Sequence, residues 1–173
     1  KFTPRVNGFR RRSIWNAELV DGKWSEARAA LLPDEFDDIC AAARGYASGD
    51  YYGMGMLPAG RGTVGFLWQF RHALPRTAGS GAGVFGSVDV SLVYQAGRGD
   101  RWLHRPGRED FLSHGQTPWM AGGIYTSSCP VEVGDEHRLY FSGQPTSHGY
   151  GWTPDWTPQS RWAEYMARHV RSG

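Results

Sequence analysis

At 173 residues with a formal net charge of +2, the chain is long enough to bury a core without disulfide staples and too evenly charged to present a polyanion-binding field. Nucleic acid is therefore not an expected partner. No run of about 18 apolar residues exists, and no charged-then-apolar targeting segment stands at the start, so a membrane partner is not expected either.

Eight Trp, eight Tyr and eight Phe accompany 24 Gly and 10 Pro, the composition of many short strands joined by tight turns. The basic triplet Arg10, Arg11 and Arg12 reads as a solvated loop. Ser13 to Glu18 alternates as a strand does, and Val20-Asp21-Gly22-Lys23 supplies a hairpin turn before Trp24. Pro33 to Arg44 is compatible with a helix capped by Asp34. Its acidic cluster Asp34, Glu35, Asp37 and Asp38 suits a solvated loop equally well.

The segment Tyr51 to Pro58 and the segment Thr63 to Phe70 form a second hairpin across Ala59 to Gly62, with Met54 and Met56 expected in the core. Residues 75 to 86 are a loop. In the strand Ser87 to Tyr94, Val88, Val90 and Leu92 face one way while Asp89 and Ser91 face the other. Further strands are expected at Gly123 to Ser128 and Glu136 to Ser142, followed by a Pro/Trp-rich loop and a helix or frayed strand from Ser160 to Arg171. Cys40 and Cys129 lack metal-ligand spacing, and either two buried thiols or one disulfide fits them. No metal and no cofactor is expected.

Trp24 and Trp102 stand 78 residues apart, and Pro58 and Pro130 stand 72 apart. The near match predicts an internal repeat of two strand-rich units, residues 10–70 and 87–143, within one domain. Stacked four-stranded units make a β-propeller, and a β-sandwich is the alternative.

The segments DYYGMGMLP (50–58), GTVGFLWQF (62–70), SVDVSLVYQ (87–95), RWLHRPG (101–107), GGIYTSSCPVEVGDEHRLYFSG (122–143) and SHGYGW (147–152) resemble the family 32-like glycosidase relatives of the five-bladed propeller superfamily of invertases, levansucrases and arabinanases. The resemblance implies an all-β propeller of which this chain holds only part, with residues 144–173 leading into a truncated next blade. Self-association, or blades supplied by another chain, then follows as an expectation. It also implies a carbohydrate pocket at the narrow ends of the inner strands.

Glycosidases need two carboxyl groups facing the scissile bond. The resemblance makes Asp50, at the entry to a Gly-rich strand, a transition-state stabiliser, and a turn-capping role fits it as well. Asp89 lies inside a strand, where an unpaired charge is costly, so it faces either a wet channel or a hydrogen-bonding hub. In invertase-like members the acid Glu immediately precedes Cys-Pro. Ser128 holds that place here, leaving Glu132, two residues past Pro130, as the candidate acid or as a surface Glu. His148 is a candidate ligand for a sugar hydroxyl or a central ion, or an ordinary loop His, and Trp68, Trp119, Trp152 and Trp156 offer flat faces for sugar rings or pack between blades. The expected function is a glycoside hydrolase-like propeller with a carbohydrate partner. A non-catalytic carbohydrate-binding or interaction propeller is the alternative.

Overall fold

The computed structural model describes residues 11–75, 82–97 and 101–149. Trp152, Trp156 and the segment Ser160 to Arg171 lie outside the described residues. The chain opens with β1 (Ile14–Asn16), β2 (Leu19–Val20), β3 (Lys23–Trp24) and β4 (Arg28–Leu31). β2 and β3 close a hairpin over Asp21 and Gly22, whose φ angles of 50° and 75° are those of the turn that matches strand twist. β1 pairs with β4 outside that hairpin.

The acidic cluster turns out to cap a helix, α1 (Glu35–Ala42). The Asp34 side chain accepts from the Phe36 and Asp37 amides, and the Asp37 side chain accepts from the Asp34 amide. The acids of the first turn also oppose the positive end of the helix dipole.

Next come β5 (Ser48–Ala59), β6 (Gly62–His72), β7 (Gly86–Gln95), β8 (Leu103–His104), β9 (Asp110–Leu112) and β10 (Gly123–Thr126). The last elements are β11 (Val131–Val133), β12 (Glu136–Arg138) and β13 (Phe141–Gln144). The fold is mostly β, built on one curled, half-barrel sheet. Its strands run β13-β10-β7-β6-β5, with β8 and β9 also pairing to β7. No helix among the described residues is long and apolar enough to cross a membrane.

One sheet runs across the expected boundary between the two units. β6, from the first, pairs residue for residue with β7, from the second, between Thr63↔Gln95 and His72↔Gly86. The repeat markers are not equivalent in space: Trp24 is 68 % exposed on its hairpin, whereas Trp102 is 5 % exposed in the core. A ladder of backbone hydrogen bonds between two long neighbouring strands outweighs a loose match in loop residues. The expected strand Glu136 to Ser142 is likewise two strands, β12 pairing back to β11 and β13 pairing with β10.

Both faces of the central sheet are covered, which explains the nearly unbroken apolar run of β6. Ile14, Leu31, Tyr51, Met54, Leu67, Val93 and Trp102 pack on one face. Phe66, Val90, Met120 and Ile124 pack on the other, with Trp68, Leu57 and Leu92 beside them. A bulge between Tyr51 and Gly53 reverses the alternation of β5, so Tyr51 and Met54 share one face although they are three residues apart. Gly86 is required at the start of β7, because a Cβ there would lie 2.2 Å from the Arg71 carbonyl oxygen.

Candidate functional site

Strand pairing decides where the predicted acids point. Asp50 lies directly opposite Phe70, and Asp89 lies directly opposite Gln69. Cross-strand partners share a face and successive residues alternate, so Asp50 and Asp89 occupy opposite faces of the sheet. The two carboxyl groups therefore do not face one another across a single pocket, as a pair flanking a scissile bond does.

On the Asp50 face, Oδ1 accepts from Arg11 Nε at 3.1 Å. Oδ2 accepts from the Arg12 amide at 3.2 Å and from His72 Nε2 at 2.9 Å. Burial alone pushes this carboxyl upward in pKa, but the bonds from His72, Arg12 and Arg11 prevail and hold it below the ordinary value. Arg11 in turn bridges to Asp38 at 2.8 Å, tying the site to α1.

His148 reaches the same face. Its Nδ1 stands 2.5 Å from the Val84 carbonyl oxygen and therefore donates, which leaves Nε2 to accept from the Tyr52 hydroxyl at 3.0 Å. Burial lowers the pKa of this imidazole, and the positive fields of Arg12 and His72 lower it further. His72 and His148 both set their rings edge-on to Phe70, with centroids at 4.7 and 5.2 Å. The Arg12 guanidinium lies over Phe70 at 4.5 Å and Tyr52 at 5.1 Å.

Tyr52 meets Tyr125 edge-on at 6.0 Å, and Trp68 meets Tyr125 at 5.5 Å. Trp68 is anchored by its Nε1 donating to Thr126 Oγ1 at 2.9 Å. The Tyr125 hydroxyl is pushed up to about 12 by burial and by its neighbour Tyr52. The three aromatic side chains are half-buried, so they form a wall with polar tips rather than a sealed core.

On the opposite face Asp89 is a hub. It accepts from Arg71 Nε at 2.5 Å, from the His114 amide at 2.8 Å and from His114 Nδ1 at 2.6 Å. Burial pushes the Asp89 carboxyl upward, but the His114 and Arg71 contacts outweigh it and hold the group below its ordinary value. Arg71 also bonds Asp110, which Arg44 pairs at 3.2 Å. The other nitrogen of His114 lies 3.0 Å from the Tyr46 hydroxyl. Alongside, the Tyr51 hydroxyl donates to Asp37 at 2.6 Å and lies 3.0 Å from His104 Nε2.

Glu132 joins neither face, since every residue of the β11–β12 pair is exposed. That exposure fits the surface-Glu alternative for Glu132. Trp119 is half exposed and stacks on Phe141 at 5.8 Å. Cys40 is a buried thiol and Cys129 an exposed one, so they form no disulfide.

The structure thus gathers Asp50, His148 and Trp68 on one face. Tyr52, Tyr125 and His72 belong to the same cluster and were not singled out from the sequence, and Arg12, expected in a solvated loop, is half-buried there over Tyr52 and Phe70. For His72 a signal existed: continuing the alternation Phe66, Trp68, Phe70 by one step places it there. A polar cleft of about 500 Å³ lies elsewhere, between Glu18, Glu26, Arg28, Arg101 and Trp102. Among the described residues no group of His, Cys, Asp and Glu is suited to hold a metal ion. No protein-family model matches the chain, and neither a curated protein nor a solved structure shows significant similarity to it.

Proposed function

We propose that this chain is a non-catalytic carbohydrate-binding part of a five-bladed propeller of the glycosidase-like kind. The observation that carries the reading is the wall of Tyr52, Trp68 and Tyr125 beside His148 and Asp50. Half-buried rings offer flat apolar faces to a sugar, and tyrosine hydroxyls offer hydrogen bonds to its rim.

Hydrolysis asks for more: two carboxyl groups about 5–9.5 Å apart across the scissile bond. Asp50 and Asp89 point to opposite sides of the sheet, and each already accepts three hydrogen bonds. A carboxylate so engaged serves packing and charge balance before it serves a substrate. The antiparallel meander β5-β6-β7, with β8 and β9 in the fourth position, supports the propeller reading, because one blade is a four-stranded up-and-down sheet.

The test is calorimetric titration with a panel of neutral and acidic oligosaccharides, run beside hydrolysis assays on chromogenic glycosides. Binding without turnover is expected, with Tyr125→Ala weakening it about tenfold, equivalent to about 1.4 kcal/mol. No binding by any sugar refutes the proposal. Turnover that Asp50→Asn abolishes at unchanged stability replaces it with the hydrolase reading.

A further inference from the structure

We propose that Ser48 and His72 form a binding site for one hydroxyl oxygen, supplied by a water molecule or by a ligand's hydroxyl, inside the face that carries Asp50. The two residues are cross-strand partners at the end of the β5–β6 ladder. Their side chains therefore share a face, with Cβ atoms about 4.5–5.5 Å apart. Both are buried, at 5 % and 2 % exposure. Ser48 Oγ and His72 Nδ1 are shut from solvent, and neither has a hydrogen-bond partner among the described residues.

Two polar atoms in that condition, side by side, are costly unless something joins them. The Ala47 amide bonds the His72 carbonyl at 2.8 Å and the ladder holds both strands in place, so the backbone at this end of the sheet is fixed. One oxygen placed between them would bond both, since two O–H···O or O–H···N bonds together reach about 5.5 Å.

The chemistry of the pair selects the kind of oxygen. His72 Nε2 is committed to Asp50 Oδ2 at 2.9 Å, and an ionised carboxylate only accepts, so Nε2 carries hydrogen. In the neutral ring Nδ1 is then an acceptor and needs a donor; in the protonated ring it donates and needs an acceptor. The Ser48 hydroxyl can play either part. An oxygen that both donates and accepts satisfies the pair in each state, which a carboxylate oxygen or an ammonium does not. The consequence is positional. An oxygen held there locks the His72 ring, and through Nε2 it holds Asp50 toward the face of Tyr52 and His148.

The site does not rest on the carbohydrate reading, because its water form requires no ligand. Crystals of the full chain, grown without and with the sugars that bind, test it together with nitrogen-15 NMR of the His72 side chain. An oxygen within about 2.6–3.2 Å of both atoms in ligand-free crystals identifies water. The same density appearing only with sugar identifies a ligand hydroxyl. Ser48→Ala is expected to displace the Nδ1 resonance, and Ser48→Thr to restore it. An empty gap in both crystals, a direct Ser48 Oγ–His72 Nδ1 bond, or an Nδ1 resonance indifferent to Ser48→Ala overturns the proposal.

Discussion

Replacing Asp89 by Asn separates a structural hub from a catalytic acid. Asp89 and Arg71 are each 1 % exposed in their side chains and meet at 2.5 Å. Asn keeps an oxygen for His114 but turns an amide N–H toward the Arg71 Nε–H, donor against donor, and removes the charge that balances the guanidinium. Taking one partner from a buried ion pair costs about 3–5 kcal/mol. Asp110 still pairs Arg71, so about 3 kcal/mol is the expected loss. That is a large part of a typical domain's 5–15 kcal/mol, and it lowers Tm by about 6–12 °C for a chain of this size.

Urea melts near neutral pH, followed by tryptophan fluorescence, measure the loss as a shift of midpoint at constant slope. The Asp89 carboxyl is held below its ordinary value of 3.8, so its contribution is complete above that pH and fades as the pH falls through the folded-state value. The gap between wild type and variant should close in acid accordingly. Replacing Asp89 and Arg71 together by apolar residues should recover part of the loss, because no uncompensated charge is then left inside. A change below about 1 kcal/mol in the single variant refutes the structural account.

Two further predictions concern the attachments of α1 and β8. Burial and the neighbouring Arg108 push the His104 pKa below 6.5, against the opposing pull of Asp37 and Asp34. The unfolded chain therefore takes up this proton first, and stability should fall as pH drops below about 6.5 and level off under the folded-state value. His104→Gln should flatten that slope in urea melts at about pH 7 and about pH 5, while the fall due to His148 remains. Asp34→Ala removes the cap accepted from Phe36 and Asp37 and the fork from Arg108, at a cost of about 0.5–2 kcal/mol. Amide hydrogen exchange at Phe36 and Asp37 should accelerate before that of β6. Unchanged exchange there would show that the helix start is held by other contacts.

The features legible in the sequence were those set within a few residues. Asp21-Gly22 announced its hairpin because few residue pairs accept two positive φ angles in succession. The alternation of Val88 and Val90 against Asp89 and Ser91 gave the faces of β7 correctly, since side-chain direction in a strand follows from pleating alone. It also showed that Asp89 must meet a partner, though not that the partner would be Arg71 from the neighbouring strand.

Where those strands lie relative to one another is a property of the folded chain. Composition and turns do not say that β6 pairs with β7 or that β1 pairs with β4 past an intervening hairpin. Such pairings are settled by which long ladder and which buried face cost least together. The bulge at Tyr52 is equally invisible locally, yet it decides that Met54 enters the core beside Tyr51. Asp50 and Asp89 look alike in the sequence, each an acid in an apolar strand. Tertiary structure alone put them on opposite sides of one sheet, because a difference of one residue in register across β6 reverses the face.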